Sequence, residues 1–139
     1  MTEISTDTNK LDVDVIHRFL SESSYWASGM PRDLLERALE NSLCFGAYDG
    51  DALVGFARVV TDYATFGYIA DVFVLPPYRG QGIGKQLMQA MKNHPDLQRL
   101  RRWHLVTRDA HQLYASAGFR PLEVPERHME ITVKNPYVS

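Results

Sequence analysis

The segment that most constrains the fold is a β-rich run that ends at two prolines and is followed by a glycine-rich loop. The run covers Gly67 to Leu75, and it stops at Pro76-Pro77 because neither proline can donate a hydrogen bond to a neighbouring strand. The loop contains Gly80, Gly82 and Gly84, and apolar residues then recur at helical spacing: Ile83, Leu87, Ala90 and Met91. The pattern predicts a strand, a tight loop and a helix that ends around residues 93–95.

This junction has the chemistry of a phosphate-binding site. The first amide N–H groups of a helix have no partner within the helix, and the helix dipole places positive charge at that end. Glycine lets a phosphate approach the backbone without a Cβ in the way. Arg79 and Lys85 add cationic charge on either side of the glycines. The residues therefore predict a ligand that carries phosphate.

The rest of the chain alternates β-rich and helical segments. Strands are predicted at Ile4–Thr8, Leu43–Tyr48, Ala52–Thr61, Gly67–Leu75, Arg102–Thr107 and, where Met129, Ile131 and Val133 alternate with polar residues, near the C-terminus. Asp49-Gly50 is typical of a tight hairpin turn. Helices are predicted around Val15–Leu20, after Pro31, from Ile83, and after Asp109, which can cap a short helix that ends near Gly118. This order predicts a mixed sheet covered by helices.

The composition is that of an ordinary globular chain. Its 139 residues suffice for one domain, 1–139, and are too few for two. A 45% apolar and 23% charged content excludes a disordered or coiled-coil chain. The net charge of −2 gives no global reason to bind nucleic acid or membranes, and the polar first ten residues do not resemble a signal peptide. We expect a cytoplasmic protein with no nucleic-acid or membrane partner.

Metal and disulfide sites are not predicted. Cys44 is the single cysteine, which excludes an internal disulfide and a cysteine-rich zinc site. The five histidines are scattered and show no ligand spacing. We expect Cys44 to be a small core residue within its strand rather than a nucleophile.

Two common nucleotide-binding motifs do not fit the glycine-rich loop. A P-loop would need glycine at Arg79 and Ser or Thr at Gln86. The dinucleotide fingerprint would begin at Gly80 and Gly82, but Lys85 stands where its third glycine belongs. Neither motif explains the segment.

A third pattern fits in full. Arg79-x-x-Gly82-x-Gly84 follows Val74-Leu75-Pro76, and downstream residues 110–119 read Ala-His-Gln-Leu-Tyr-Ala-Ser-Ala-Gly-Phe. The first pattern resembles the acetyl-CoA signature of the GCN5-related N-acetyltransferase (GNAT) superfamily, and the second resembles its Ala-x-x-Leu-Tyr-x-x-x-Gly-Phe signature. Both occur in the family's order, and the order of elements matches over nearly the whole chain.

The resemblance implies a fold and a co-substrate. The fold is α/β (α+β), with a central mixed, mostly antiparallel sheet of six to seven strands, about four flanking helices and splayed central strands. The co-substrate is acetyl-CoA, with its pyrophosphate on the backbone of the glycine-rich loop and its pantetheine arm between the splayed strands. Thr107 stands where many members carry an asparagine that contacts this arm. The residues expected to bind acetyl-CoA are Val72, Phe73, Val74, Arg79, Gly80, Gln81, Gly82, Ile83, Gly84, Lys85, Thr107 and Asp109.

The resemblance also implies transfer of the acetyl group to a primary amine by direct attack in a ternary complex. Tyr114 matches the family position whose phenol donates to the departing thiolate. The amine must lose a proton before it attacks, because a lysine-like ammonium has a pKa of about 10.4. Asp71, on the strand that leads to the loop, is one candidate for the base, and a chain of water molecules is the other.

The acceptor and the assembly are less constrained by the sequence. The residues predicted to bind the acceptor amine are Tyr25, Trp26, Asp62 and Tyr63. The amine can belong to a small molecule, a peptide or a protein lysine, and a homodimer is compatible with the family. Two other functions stay open: a non-catalytic acyl-CoA sensor on the same fold, and a nucleotide- or phosphate-binding protein that uses the same loop.

Overall fold

A single five-stranded sheet carries the fold in the computed structural model, which describes residues 2–137. The strands follow chain order across the sheet: β1 (Thr2–Ser5), β2 (Leu43–Asp49), β3 (Ala52–Thr61), β4 (Phe66–Val74) and β5 (Arg102–Leu105). Neighbours are antiparallel from β1 to β4, and β5 is parallel to β4. The mixed, mostly antiparallel sheet is confirmed, but the prediction of six to seven strands is wrong, because five form within the described residues.

Helices cover both faces of this sheet. Residues 2–137 form four α-helices: α1 (Val13–Arg18), which continues as a π-helical turn (Phe19–Ser23), α2 (Arg32–Glu40), α3 (Ile83–Asn93) and α4 (His111–Ala115). One core lies under the first two helices, where Ile16, Leu20 and Leu35 are fully buried. The other lies under α3, with Leu87 and Met91 at its centre. The predicted end of α3 near residue 93 is confirmed, since this helix has amphipathic spacing and proline follows it.

A β-bulge in β4 opens the sheet. Phe56 is opposite Phe73 and Arg58 is opposite Ala70, so that Asp71 and Val72 together face the single residue Ala57. Asp71 has φ 55°, in the left-handed region that is strained for residues other than glycine. A bulge bends its strand, and β4 pairs with β5 only along Phe66–Ile69. Beyond that point the two strands separate, which confirms the predicted splay.

Several predicted boundaries are wrong. The first strand covers Thr2–Ser5 rather than Ile4–Thr8, because Asp7 accepts the N–H of Asn9 and starts a 3-10 turn there. The fifth strand ends at Leu105 rather than Thr107, because β4 has diverged by then.

The predicted C-terminal strand is absent from the described residues. The alternating segment around Ile131 is irregular, and Met129 and Ile131 are 97% and 99% exposed. Alternation of apolar and polar residues gives a strand only where an adjacent strand and an apolar surface are available. Within one chain this segment has neither.

Candidate active site

The glycine-rich loop presents free backbone donors. Gly80 and Gly82 have φ 79° and 81°, a conformation that glycine adopts without strain. Among the described residues, no hydrogen bond is donated by the amide N–H groups of residues 80–85, and the first bond of α3 runs from Gln86 N–H to the Gly82 carbonyl. A Cβ added at either glycine would meet no atom within 4 Å, so the space over the loop is open. The loop is therefore a concave set of donors at a helix N-terminus.

Arg79 fixes this loop to the end of β4. Its Nε donates a 2.9 Å hydrogen bond to the carbonyl of Val74. The N–H of Leu75 donates to Val54 on β3, and successive residues of a strand point their backbone groups to opposite sides. The N–H and C=O of Val74 therefore point away from β3, toward the open side of the splay.

A cavity of 420 Å³ occupies the gap between β4 and β5. Seven of the predicted site residues line it: Tyr25, Trp26, Asp71, Val72, Thr107, Asp109 and Tyr114. Residues distant in sequence are thus brought together at the carboxyl ends of two parallel strands. A larger cavity of 650 Å³ lies at the other end of β5 and includes neither Tyr114 nor the glycine-rich loop.

The carboxylate of Asp71 has donors on both oxygens. Arg58 Nε lies 2.6 Å from Oδ2, and Trp26 Nε1 donates to Oδ1 at 2.8 Å. The ion pair is well covered, with the Arg58 and Asp71 side chains 16% and 7% exposed. Arg58 also donates to the hydroxyl of Ser42 at 3.0 Å. The bulge thus turns Asp71 toward a fixed network that holds the indole of Trp26 at the cavity wall.

Tyr114 lies at the boundary between the cavity and the second core. Its side chain is 8% exposed, and Phe119 packs edge-on against its ring, with the centroids 6.0 Å apart. Burial, with a smaller contribution from Tyr25, raises the pKa of Tyr114 to about 12. The phenol therefore stays protonated across the neutral range and is a hydrogen-bond donor there.

The helix that carries Tyr114 has Ala110 as its N-cap residue and has no side-chain capping bond. The Thr107 hydroxyl oxygen accepts the N–H of Ala110 at 3.0 Å, whereas the carboxylate of Asp109 makes no capping bond. The prediction that Asp109 caps this helix is wrong, because the helix starts one residue later, with Ala110 at the N-cap position. Since a hydroxyl both accepts and donates, Thr107 can still donate into the cavity.

Two aromatic side chains form the wall opposite β5. Tyr25 and Trp26 pack edge to face with centroids 5.1 Å apart, and they are 51% and 40% exposed. The guanidinium of Arg108 lies 3.8 Å from the centroid of the Tyr25 ring. This wall therefore already holds one cation by a cation–π contact.

Apart from Val74 and the residues of the glycine-rich loop, three predicted site residues do not line this cavity: Phe73, Asp62 and Tyr63. Phe73 packs into the first core and stacks on Phe19 at 4.2 Å. Asp62 accepts the N–H groups of Ala64, Thr65 and Phe66 in the turn before β4, and these bonds lower its pKa. Tyr63 lies in the same turn with φ 63°, and neither residue of the turn lines the cavity.

Three polar side chains that line the cavity were missed from the sequence: Arg58, Tyr68 and Tyr137. Arg58 carried a usable signal, since an arginine between Ala57 and Val59 in an apolar strand needs a buried anion. Tyr137 carried none, because its place depends on the path of the C-terminal segment.

Cys44 is 2% exposed, and burial raises the pKa of its thiol to about 11. The prediction of a core cysteine is confirmed. Within residues 2–137, no group of three His, Cys, Asp or Glu side chains is arranged to hold a metal ion. None of the helices described is long and apolar enough to cross a membrane.

Comparisons with known proteins match this architecture. The model of the acetyltransferase (GNAT) domain matches residues 40–121, which include the bulge, the loop and α4. The chain belongs to the GNAT acetyltransferase family. A Gibberella zeae protein named as an acetyltransferase is 35% identical over 134 residues, covering 80% of this chain and 74% of that protein.

Solved GNAT structures share the fold. A Xanthomonas campestris protein described as a GNAT-family acetyltransferase is 50% identical and has a TM-score of 0.98, covering 100% of this chain and 98% of that one. A GNAT-family protein from Streptococcus pneumoniae is 27% identical with a TM-score of 0.75, covering 97% and 99%. The family expected from the two sequence signatures is therefore confirmed.

Proposed function

We propose that the protein is an N-acetyltransferase that transfers the acetyl group of acetyl-CoA to a primary amine by direct attack in a ternary complex. The observation that carries the proposal is the alignment of three features along one opening. Free loop amides stand at one end, unpaired backbone of β4 lines the middle, and the Tyr114 phenol lies at the base of α4.

The loop fits the diphosphate of acetyl-CoA. Its unpaired N–H groups lie at the positive end of an eleven-residue helix, and the two glycines leave open the space that a Cβ would fill. Arg79 and Lys85 are exposed beside them and add positive charge. When bound there, acetyl-CoA supplies an activated thioester carbonyl.

The unpaired part of β4 fits the pantetheine arm and the reacting carbonyl. Beyond Ile69 the strand pairs with no described residue on the β5 side, so that its backbone groups can pair with the amides of an extended ligand. The N–H of Val74 points into this opening and can donate to the thioester oxygen. A single donor of this kind typically contributes about 10²–10³ in rate, because negative charge develops on that oxygen in the transition state.

Tyr114 stabilises the departing thiolate by donating a hydrogen bond. A thiol has a pKa of about 8.5, well below the value of about 12 to which burial raises the phenol pKa. Complete transfer of the phenolic proton is therefore unfavourable, and the donated hydrogen bond is the role that the geometry supports. The proton that finally reaches sulfur comes from the attacking amine.

Before attack, the ammonium form of the acceptor loses one proton to water rather than directly to Asp71, and the proton that the nitrogen releases after attack is the one that reaches sulfur. Both carboxylate oxygens already accept hydrogen bonds, from Arg58 and from Trp26. The ion pair gives Asp71 a positioning role: it fixes Trp26 and holds the bulge that separates β4 from β5. Of the two bases considered from the sequence, this contact pattern supports the water chain.

The aromatic wall of Tyr25 and Trp26 supports an amine as the acceptor. Both rings are partly exposed and line the cavity, and a ring face attracts an ammonium group before deprotonation. A cytoplasmic location, where acetyl-CoA is abundant, is part of the proposal.

The proposal is tested by incubating the protein with acetyl-CoA and a panel of amines that includes polyamines, amino acids and lysine peptides, while free thiol is measured. At least one amine should release thiol in equal amount to the acetylated product. Tyr114→Phe should lose turnover and keep its affinity for CoA. If CoA binds and no amine supports turnover, the chain is a sensor and the catalytic proposal is wrong.

A further inference from the structure

Arg108 lies at the rim of the candidate active site, between β5 and α4. Its neighbours Thr107 and Asp109 line the 420 Å³ cavity. The central carbon of its guanidinium lies over the ring of Tyr25, 3.8 Å from the centroid, and Tyr25 lines the same cavity. This is a direct contact distance, so the guanidinium rests on the ring, although its side chain is 64% exposed.

The contact with Tyr25 leaves most hydrogen-bond donors of Arg108 without an anionic partner. Within residues 2–137, the one carboxylate within 4 Å of the guanidinium is that of Asp109, whose Oδ2 lies 3.7 Å from Nη2. That distance is longer than a hydrogen bond, and both side chains are mostly exposed, so this ion pair is weak. A guanidinium held on an aromatic face presents a rigid, planar set of donors that fits a carboxylate or a phosphate.

The ionised side chains of the cavity and its rim balance in number. Arg58 and Asp71 form the covered ion pair, and Arg108 and Asp109 form the exposed one. Both oxygens of Asp71 already accept hydrogen bonds. An acceptor with several ammonium groups would therefore place positive charge beside Arg108, with the exposed Asp109 alone among the described lining residues to offset it.

We propose that Arg108 determines the acceptor specificity by binding an oxyanion, a carboxylate or a phosphate, on a small acceptor whose other end is the attacking amine. This inference rests on the proposed acetyl transfer and names its substrate class. The oxyanion would pair with the guanidinium on Tyr25. The ammonium would approach Trp26, which is 40% exposed and is the ring of the wall that carries no cation from residues 2–137.

The size of the cavity agrees with a small acceptor. Small-molecule sites enclose about 300–1,000 Å³, and the cavity of 420 Å³ lies in the lower part of this range. Part of it lies along the open side of β4, where the pantetheine arm is proposed to bind. The space that is left suits an amino acid or a phosphorylated amine better than a segment of a protein.

The test compares pairs of acceptors that differ in the oxyanion. β-Alanine is compared with propylamine, lysine with cadaverine, and phosphoethanolamine with ethanolamine, and kcat/KM is measured from the release of free thiol. In at least one pair the member with the oxyanion should have a kcat/KM about tenfold higher or more, because a charge-assisted, bidentate contact stabilises its complex. A preference confined to phosphoethanolamine identifies the oxyanion as phosphate, and one confined to the other two pairs identifies it as carboxylate.

Two substitutions of Arg108 and one matched control assign this preference. Arg108→Met keeps an unbranched side chain over Tyr25 and removes the charge and the donors, so the ratio of kcat/KM within the pair should fall about tenfold, through a higher KM for the member with the oxyanion. Arg108→Lys should keep part of the preference, since the charge stays and the planar donors are lost. Arg99→Met removes an exposed arginine in the turn before β5, away from the cavity, and should keep the native ratio.

The outcomes distinguish this specificity from the acetyl transfer on which it rests. A protein that binds CoA and releases thiol with no amine would refute both. Turnover with no preference for the oxyanion, or a preference that Arg108→Met leaves intact, would overturn the specificity alone. A weaker affinity of Arg108→Met for CoA with an unchanged ratio would assign Arg108 to the co-substrate and would also overturn it.

Discussion

Replacing Arg58 by methionine tests whether the ion pair under the bulge fixes the cavity. The substitution keeps the length of the side chain and removes the Nε donor that lies 2.6 Å from Asp71 and the donor to Ser42. It leaves a carboxylate that is 7% exposed with the indole N–H of Trp26 as its remaining side-chain donor. Breaking a buried ion pair on one side costs about 3–5 kcal/mol, because the remaining charge has been removed from water.

Two matched variants separate the charge from the packing. Trp26→Phe removes one hydrogen bond to the same carboxylate and should cost about 1.5–3 kcal/mol. Arg58→Met combined with Asp71→Asn removes both charges, and it should be more stable than Arg58→Met alone, because no uncompensated charge stays buried.

The assay is urea unfolding followed by far-ultraviolet circular dichroism, at one protein concentration for all variants. The free energy of unfolding should fall in the order native, Trp26→Phe, Arg58→Met, with the double variant above Arg58→Met. An Arg58→Met protein within about 1 kcal/mol of the native one, or a double variant that is no better than the single one, would refute the reasoning.

Three further outcomes follow from the site. Tyr114→Phe should lower kcat about 10²-fold with little change in the dissociation constant of CoA measured by calorimetry, and an unchanged kcat would contradict a role for the phenol. The rate of the native protein should show no loss from ionisation of the phenol below about pH 11, since the pKa of Tyr114 is about 12. Gly82→Ala should cost about 1–2 kcal/mol in thermal unfolding, because φ is 81° there, and should weaken acetyl-CoA binding by filling the open cradle; tight binding by this variant would contradict the loop site. The Cys44 thiol should resist aromatic disulfide reagents at pH 8 until the chain is unfolded, and Cys44→Ala should retain turnover. Burial raises the pKa of this thiol from 9.0 to about 11, so its contribution to the free energy of unfolding is complete below pH 9 and is lost as the pH rises toward 11. Cys44→Ala should therefore reduce the fall in the free energy of unfolding between pH 9 and pH 11. An unchanged slope in the variant would contradict the raised pKa of Cys44.

The sheet and its loop could be predicted because local chemistry determines them. Pro76-Pro77 must end a strand, Asp49-Gly50 favours a hairpin, and the glycines before Ile83 fit only a tight turn into a helix. Each of these signals acts within a few residues. The structure confirms the hairpin, the end of β4 and the start of α3.

The bulge and its ion pair could not be predicted, because they depend on register between distant segments. The Asp71 carboxylate is buried, with a hydrogen bond to each of its oxygens, for two reasons. At the bulge, β4 has one residue more than the facing part of β3, and Trp26 approaches from another loop. From the sequence alone, Asp71 is one carboxylate on a strand, and a base is a reasonable prediction for it. The same limit explains Asp62, whose three backbone bonds depend on how its own turn closes.

The C-terminal segment shows a different limit. Its alternation correctly marks residues that suit a strand, yet a strand also needs an adjacent strand, which the single chain does not provide. The predicted C-terminal strand is therefore absent from the described residues.

Calorimetric titration of the native protein with acetyl-CoA tests the central claim most directly. The free amides of residues 80–85 and the open edge of β4 predict saturable binding of one acetyl-CoA per chain, weakened when the ligand lacks its diphosphate. Equal affinity for a pantetheine thioester without the diphosphate, or no heat at millimolar acetyl-CoA, would contradict it.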